Sequence, residues 1–330
     1  MIYFYLDKKT FSDSFPQNRT DLFPNFLSGE FAWILQTYLV LKVRDQSVIL
    51  TSVIPSEGII FAHRDHLPID LAPSSSQLFV CVQADRDRHP LAQIHLVQNP
   101  KESKFGSAWN QRWLSPLGLD YFVRHWPQPG LVPRDISRDD VFQNVGYFGV
   151  KENSDRHFGL EEWKVALRGL QLNWLERNYP GEWNDYSKMD CLIAVRSFSN
   201  NELTPKPATK LYNAWHAGVP AIVDTNSAYQ FEMKSKLDFL VANDLNAVIA
   251  HLKFLKTHRD FYHQMIKNGK ERAKETSEES LALAWTNLIN TQIIPFFKVW
   301  KSSAIYRQTF FSGRKMYRDL SILKRNLMQP

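Results

Sequence analysis

The sequence predicts an α/β protein in which two domains each contain a parallel β-sheet. The chain has 330 residues, which is too many for one hydrophobic core of ordinary size and suits two domains. Through the second half, apolar β-branched runs alternate with segments that have helical apolar spacing, as in a doubly wound sheet. The first half contains continuous apolar runs, which are typical of strands buried on both faces.

The first half is predicted to contain several strands and one early helix. The helix begins at residues 28–30, because apolar residues follow at helical spacing from Phe31 to Leu41. The β-rich runs lie at residues 2–6, 47–54, 58–62, 77–83 and 92–98. We assign residues 1–125 to this first domain.

A stretch rich in proline, tryptophan and arginine separates the two halves. Residues 109–140 have little periodicity, so they are predicted to form an ordered connecting loop. We place the linker between the domains at residues 126–140.

The second half alternates strands and helices more regularly. Strands are predicted at residues 145–150, 190–195 and 219–223, and helices at residues 160–179, at 209–217 and from Ala228 onward. Three further helices are predicted at residues 245–257, 259–276 and 278–298. We assign residues 141–295 to a Rossmann-like domain. Residues 296–330 are predicted to be a basic helical segment that returns to the first domain.

The net charge of +6 is concentrated in that last segment. Residues 297–325 carry eight basic side chains against one acid, Asp319, and aromatic residues are interleaved with them. Such a pattern favours an anionic membrane surface or nucleic-acid phosphates as a partner. The ordinary alternative is a helix that packs on its own protein and leaves its charges in water. The basic residues are Lys298, Lys301, Arg307, Arg314, Lys315, Arg318, Lys324 and Arg325.

Cysteine usage and hydropathy predict a cytoplasmic protein, soluble or peripheral on the inner face of a membrane. Cys81 and Cys191 lie far apart in apolar runs, which indicates buried, reduced thiols and no metal-type spacing. The opening MIYFYLDKK turns polar too early for a secretory signal, and no apolar run approaches the roughly 20 residues of a membrane span. The absence of GxxxxGK[ST] and GxGxxG motifs argues against P-loop NTPases and conventional dinucleotide enzymes.

Basic residues gather where the second predicted sheet would bind a ligand. Arg196 directly follows a predicted strand, and ligands of open α/β sheets bind beyond the carboxyl ends of the strands. Lys206 lies in a proline-rich loop. Lys210 and Asn213 lie near the start of the helix at 209–217, off its apolar stripe. Since a helix N-terminus attracts anions, the pattern predicts a pocket for a pyrophosphate group.

The segment KLYNAWHAGVPAIVDTNSAYQFE resembles the C-terminal domain of GT-B glycosyltransferases. In that domain a helix ends at a G-x-P turn, here Gly218-Val219-Pro220, and an apolar strand follows. The stretch DFYHQMIKNGKERAKETSEESLALAWTNLI is similar to the terminal helices of the same superfamily, in particular of bacterial family-1/4-like members. The likeness covers residues 144–294. It implies two Rossmann-like domains that face each other across a cleft.

The resemblance also implies a donor site for a nucleotide-diphosphate sugar, used as a co-substrate, with no other cofactor and no metal. Arg196 and Lys210 would be catalytic as well, because the leaving diphosphate gains negative charge in the transition state. The acidic E-x7-E signature of the retaining family is absent. The lysine and asparagine before the AGVP turn look more like a fucosyltransferase-type site, so the donor sugar and the retaining or inverting outcome stay open. The implied donor contacts are Arg196, Lys206, Thr209, Lys210, Asn213, Ser227, Tyr229 and Glu232.

Acceptor contacts are expected from first-domain loops that follow strands and from the linker. Asp65 or His66 would act as the general base on an acceptor hydroxyl. The spacing of His63 and His66 lacks a third ligand, so no metal site is predicted. The other acceptor-side candidates are Arg64, Arg86, Trp126 and Gln128.

Six of the eight donor-site candidates also have an ordinary structural explanation. Arg196 would then pair with a nearby acid such as Asp190, and Tyr229 would pack in the core. Glu232 would be a first-turn helix charge. Lys206, Lys210 and Asn213 would be solvated surface residues.

The function predicted from these patterns is sugar transfer by a hexosyl- or deoxyhexosyltransferase that needs no metal. The acceptor would be a glycan or glycolipid, as in polysaccharide biosynthesis, and nucleic acid is not an expected partner. The alternative from another class is a nucleic-acid-binding or scaffolding α/β protein without catalytic activity. A third reading is a transferase fold that binds a sugar without turnover.

Overall fold

The computed structural model describes residues 1–44, 47–103, 119–199 and 205–327, and for residues 316–327 the backbone only. Residues 109–118 of the predicted connecting loop and the side chains of Arg318, Lys324 and Arg325 lie outside the described residues. The chain divides into two compact units. The first unit is Met1–Arg19, Ser28–Val123 and Ala282–Pro330, and the second unit is Thr20–Leu27 and Arg124–Leu281.

The described residues form eleven strands. In the first unit these are β1 (Ile2–Tyr5), β2 (Val48–Thr51), β3 (Gly58–His63), β4 (Gln77–Val82), β5 (Ile94–Val97) and β6 (Leu119–Phe122). In the second unit they are β7 (Asn144–Phe148), β8 (Asn173–Arg177), β9 (Cys191–Ala194), β10 (Ala221–Val223) and β11 (Leu240–Val241).

The α-helices described in the chain number nine. They are α1 (Gln36–Lys42), α2 (Glu161–Gly169), α3 (Thr209–Ala217), α4 (Ser227–Glu232), α5 (Leu245–Thr257), α6 (Arg259–Ala273), α7 (Glu278–Leu288), α8 (Ile294–Ser302) and α9 (Ala304–Leu327). Two short π-helical turns, Phe31–Leu35 and Ile289–Ile293, precede α1 and α8.

Each unit is built on one parallel sheet, so the predicted α/β fold class with two parallel sheets is confirmed. The first sheet has the strand order β2-β1-β3-β4-β5-β6, and the second has the order β11-β10-β9-β7-β8. Every pairing between these strands is parallel. Strand β3 is buried along its whole length, as its apolar run predicts.

The second sheet is covered on both faces by apolar side chains. Successive residues of β9 point to opposite faces, so Leu192 enters one core cluster and Ile193 the other. Helix α3 covers the first face with Leu211 and Trp215, and α5 covers the second with residues that include Leu252. This packing fixes the positions of the loops that follow the strands.

The helix predicted at residues 160–179 is wrong in its second half. Helix α2 ends at Gly169, and Gln171 has a φ of 51°, in the left-handed region, where the chain turns into strand β8. Strand β8 pairs along its whole length with β7, with Tyr147 opposite Glu176. The hydrogen bonds of this pairing outweigh the helical spacing of the local sequence. Two further short edge strands, β6 and β11, were not predicted.

Residues near the end of the chain pack into the first unit. The Trp300 indole Nε1 donates to the Ser74 carbonyl at 3.0 Å, and Arg314 Nη2 donates to the Ala92 carbonyl at 3.0 Å. Trp285 packs against Phe61, with ring centroids 5.9 Å apart. The sequence contained no sign that Thr20–Leu27 belongs to the second unit.

Gly146 in β7 is the position at which the second sheet should be most sensitive to a single methyl group. A Cβ there would lie 2.0 Å from the Leu175 carbonyl oxygen of β8, a backbone atom that cannot move aside. We expect Gly146→Ala to lower the free energy of unfolding by about 1–3 kcal/mol or more, measured by urea denaturation. Gly159→Ala is the control, because no atom lies within 4 Å of its added Cβ. Equal stability of the two variants would contradict the described β7–β8 pairing.

Candidate functional site

Three strands of the second sheet end at the same edge and bring their following residues together. Strands β7, β9 and β10 are parallel neighbours, so their carboxyl ends meet at one edge. Gly149, Arg196 and Asp224 come shortly after these three strands. Helix α3 begins close by, and no side chain caps its N-terminus at Ala208.

Arg196 is held between the β10 loop and α4. Its backbone N–H donates to Asp224 Oδ2 at 2.8 Å, and its guanidinium lies over the Tyr229 ring, 5.6 Å from the centroid. Arg196 Nη2 makes a long contact of 3.4 Å with the Pro207 carbonyl. Arg196 Nη1 is buried and has no hydrogen-bond partner among the described residues. One face of this guanidinium is therefore available to an anion.

Lys210 lies in the first turn of α3, with its ammonium against strand β7. The Nζ atom lies 4.8 Å from the centroid of the Tyr147 ring. Gly149, with a φ of 146°, leaves the space that the ammonium occupies, because a Cβ at Gly149 would lie 2.5 Å from Nζ. In the described part of the chain, no carboxylate forms an ion pair with Lys210.

Two hydroxyl groups beside these cations also have no partner. Thr209 Oγ1, at the start of α3, is buried without a hydrogen bond among the described residues. The Tyr229 hydroxyl, beside Arg196, makes no hydrogen bond of good geometry within the same residues. A buried polar group without a partner is costly, so these hydroxyls indicate a ligand with hydrogen-bond acceptors.

The site has an excess of positive charge in a buried setting. Burial, followed by the nearby charges of Arg196 and Lys206, lowers the pKa of Lys210 to about 7, and Asp224 opposes this shift. Burial raises the pKa of the Asp224 carboxyl, while hydrogen bonds from the backbone of Arg196 and Asn226 lower it. Among the described residues, the two cations Arg196 and Lys210 have Asp224 as their nearest carboxylate. We call Arg196, Lys206, Lys210, Asp224 and Tyr147 the cation cluster.

The structure excludes Asp190 as the counter-ion of Arg196. Asp190 is fully buried and pairs instead with Arg134 and Arg138, whose Nη2 lies 2.6 Å from its Oδ2. The same carboxylate accepts the backbone N–H groups of Gln143 and Asn144 at 2.9 Å. Asp190 therefore fixes the start of β7.

Glu232 is a correction to the predicted donor contacts. Its carboxylate is 1% exposed and is held by Arg124 Nε at 2.8 Å, by the Tyr212 hydroxyl at 2.7 Å and by Arg272 Nη2 at 3.5 Å. With these partners in place, the carboxylate belongs to the core and is closed to a ligand.

Four other predicted contacts are also buried, and one of them, Tyr229, has no exposed surface and lies in the core cluster on one face of the second sheet. Asn213 faces the protein interior, and its Oδ1 accepts the Gln128 backbone N–H at 2.9 Å, so it does not share an exposed face with Lys210 as predicted. Trp126 has no exposed surface, which removes it from the candidate acceptor contacts. Ser227 is buried at the start of α4, beside the capping residue Asn226.

The first-unit candidates lie at the carboxyl ends of β3 and β4. Arg86 Nε donates to both carboxylate oxygens of Asp65 at 3.0 Å, and Arg64 Nε donates to the Asp87 carbonyl at 3.0 Å. His66 Nδ1 accepts the Asp7 backbone N–H at 3.3 Å. That contact engages the ring nitrogen lone pair of His66, and Arg86 engages the carboxylate of Asp65. Which of the two acts as base stays a prediction.

Sequence analysis missed Tyr147, Gly149 and Asp224. Asp224 follows the apolar strand VPAIV, and the strand-end argument that identified Arg196 applies to it equally. Gly149 had a weaker signal, as a glycine directly after the strand NVGYF. The role of Tyr147 depends on which face of β7 meets α3, which the sequence does not indicate.

A group of side chains with metal-ligand chemistry lies elsewhere in the second unit. Among the described residues, Asp139, Asp140 and His263 place ligand atoms within 4.8 Å of one another. His263 Nε2 lies 2.7 Å from Asp140 Oδ1. Since Asp140 precedes β7, this group lies toward the amino end of that strand, at the opposite edge of the sheet from the cation cluster.

No helix in the described part of the chain has the length and hydropathy needed to cross a bilayer.

Comparison with known proteins finds similar structures but no similar sequences. No protein-family model matches the chain, and no curated protein matches it. Similar solved structures include sucrose-phosphate synthase from Thermosynechococcus elongatus, with 15% identity, a TM-score of 0.46 and coverage of 72% of this chain and 74% of that one. Anabaena HepE in complex with UDP and glucose has 9% identity and a TM-score of 0.48, and the match covers 77% of this chain and 81% of HepE.

WaaG, a glycosyltransferase involved in lipopolysaccharide biosynthesis, matches with 10% identity and a TM-score of 0.42. The match covers 88% of this chain and 99% of WaaG. The solved structures that match thus include a glycosyltransferase, but TM-scores below 0.5 carry no argument about the family of this chain. The function therefore has to be argued from the residues of this chain.

The buried carboxylate of Glu232 gives a direct test of the second-unit core. Glu232→Gln leaves Arg124 and Arg272 without the charge between them, and breaking a buried ion pair costs about 3–5 kcal/mol. We expect a loss of that size in the free energy of unfolding, measured by chemical denaturation. The exposed Glu162 in the first turn of α2 supplies the control, and Glu162→Gln should change stability by less than about 0.5 kcal/mol. A Glu232→Gln protein as stable as the control would show that Glu232 is not a structural ion.

Proposed function

We propose that this chain is a glycosyltransferase that takes a sugar from a nucleotide-diphosphate donor. The observation that carries the proposal is the pair of cations in the cation cluster, the Arg196 guanidinium and the Lys210 ammonium, which lie beside the start of α3. A donor diphosphate carries two negative charges, which these two positive charges would balance. The unpartnered Arg196 Nη1 and Thr209 Oγ1 supply hydrogen-bond donors for its oxygens.

The proposed chemistry uses the same charges in the transition state. As the bond between the sugar and the diphosphate breaks, negative charge accumulates on the leaving phosphate oxygens. The backbone N–H of Arg196 is already held by Asp224. The ammonium of Lys210 already lies against the Tyr147 ring and the Gly149 backbone. Preorganised cations of this kind lower the barrier without reorganising during the reaction. This chemistry requires no metal, in line with the sequence prediction.

We propose a glycan or glycolipid as the acceptor, with Asp65 or His66 as the base on its hydroxyl. Exposed residues of the basic C-terminal segment support a glycolipid at an anionic membrane surface. Lys298, Lys301 and Lys315 are exposed, and Ile305 is 77% exposed. Arg314 does not belong to this surface, because it is buried against the Ala92 carbonyl. The enclosed position of the cation cluster favours a small anion over nucleic acid as its ligand.

Donor binding should stabilise the protein. At a free donor concentration of about 100 times its dissociation constant, the expected gain is roughly 2.7 kcal/mol, visible as a rise in melting temperature. The panel is UDP, GDP, ADP, CDP and TDP sugars, beginning with UDP-glucose, and each is measured with and without EDTA. An unchanged melting curve with the whole panel would remove the main support for a transferase. A shift that EDTA abolishes would contradict metal independence.

Changing Arg196 or Lys210 should affect turnover more than donor binding. Each contact acts mainly on charge that grows in the transition state, so Arg196→Ala and Lys210→Ala should each lower the rate about 10²–10³-fold, or roughly 3–4 kcal/mol. The measurement is the release of nucleoside diphosphate from the best donor of the panel. Lys253→Ala, on the exposed side of α5, is the matched control and should keep full activity. Near-normal rates in both site variants would refute the proposed role.

A further inference from the structure

Lys210 is unusual because it has two cations beside it and, within the described ranges of the chain, no ion-pair partner. The groups that face its ammonium come from four parts of the second unit. They are Tyr147 of β7 at 4.8 Å, Arg196 after β9, Lys206 in the loop before α3, and Asp224 after β10. Tyr229 of α4 lies behind Arg196 and interacts with it.

Asp224 raises the pKa of Lys210 but does not outweigh burial and the two neighbouring cations, and it forms no ion pair with Lys210 among the described residues. Its Oδ2 accepts the Arg196 backbone N–H at 2.8 Å, and its Oδ1 accepts the Asn226 backbone N–H at 3.0 Å. Both oxygens are thus engaged by the backbone. The aromatic face of Tyr147 and the Gly149 backbone enclose the ammonium from the other side. A largely desolvated ammonium beside two other cations, with no ion-pair partner in the part of the chain that the structure describes, favours its neutral form.

We propose that Lys210 takes up a proton from solvent when a diphosphate binds, so that donor affinity is coupled to pH through this one side chain. The proposal rests on the proposed function, since it concerns the same site. No covalent step is involved. The neutral amine accepts one proton from water or buffer, and the two charges of the diphosphate supply the counter-ion that the empty site lacks.

The direction of the pH dependence follows from the two states of the site. In the empty site the pKa of Lys210 is about 7, and a bound anion raises it toward the ordinary value of a lysine, near 10.4. Below pH 7 Lys210 is already mostly protonated both with and without donor, so donor binding takes up only a small fraction of a proton. Above pH 7 the empty site is increasingly neutral while the bound site stays charged, so binding takes up a proton and affinity falls as pH rises.

The experiment is titration calorimetry of the full chain with UDP-glucose, or with the best donor of the panel if another binds more tightly. A nucleotide sugar is preferred to free pyrophosphate, because its diphosphate does not titrate between pH 6 and 8.5. Measurement in two buffers with different ionisation enthalpies gives the number of protons taken up. We expect uptake of about 0.9 proton per donor bound at pH 8 and about 0.1 at pH 6. The dissociation constant should be about tenfold larger at pH 8 than at pH 6.

Two variants identify the group that takes up the proton. Lys210→Arg keeps the positive charge at all these pH values, so it should bind donor without proton uptake and without the fall in affinity. Lys210→Met has no charge at any pH, so it should bind more weakly and also take up no proton. Lys253→Met is the control and should behave as wild type.

The outcomes separate this inference from the proposed function. Donor binding by the wild-type chain with no proton uptake at pH 8 would overturn the role of Lys210 and leave the transferase proposal standing. Uptake that persists in both Lys210 variants would assign the proton to another group and also overturn it. Failure of every donor to bind at either pH would count against the proposed function itself.

Discussion

The parallel pairing of β7, β9 and β10 is the constraint on which the candidate site depends. Because these strands run in the same direction, the residues that leave them arrive at one edge of the sheet. Arg196 and Asp224 are distant in sequence, yet the Arg196 backbone N–H reaches the Asp224 carboxylate at 2.8 Å. The apolar clusters on both faces hold the strands and α3 in register, so the geometry of the charges is set by packing.

The second unit handles buried charge in two different ways. Around Glu232, the arginines Arg124 and Arg272 are balanced by Glu232 and by Asp238, which lies 2.8 Å from Arg272. In the cation cluster, the described carboxylate beside Arg196 and Lys210 is Asp224, and it forms no ion pair with Lys210 among the described residues. An uncompensated charge costs free energy in the folded state.

Sequence patterns predicted the architecture better than they predicted the individual contacts. Helix α3 and helix α5 have the bounds that apolar spacing indicated, since both helices pack one apolar stripe on the sheet. The edge strand β8 was missed, because its residues also fit a helical period and backbone pairing decided between the two. Arg196 and Lys210 were found by strand-end and helix-start arguments. Glu232 was misassigned, because its partners Arg124 and Arg272 are more than thirty positions away in the sequence and no local pattern indicates them.

The first unit draws on both ends of the sequence, and this has a consequence for how the chain folds during synthesis. Trp285 reaches Phe61, Trp300 reaches Ser74 and Arg314 reaches Ala92, over more than two hundred positions. The ribosome releases the chain from its N-terminal end, so nearly all of the second unit emerges before the residues that complete the first. Strands β1 to β6 are therefore synthesised before the residues from Ala282 onward that pack on them. Their apolar surface stays uncovered while the second unit is synthesised. A chaperone that shields this surface would act on the N-terminal third of the nascent chain.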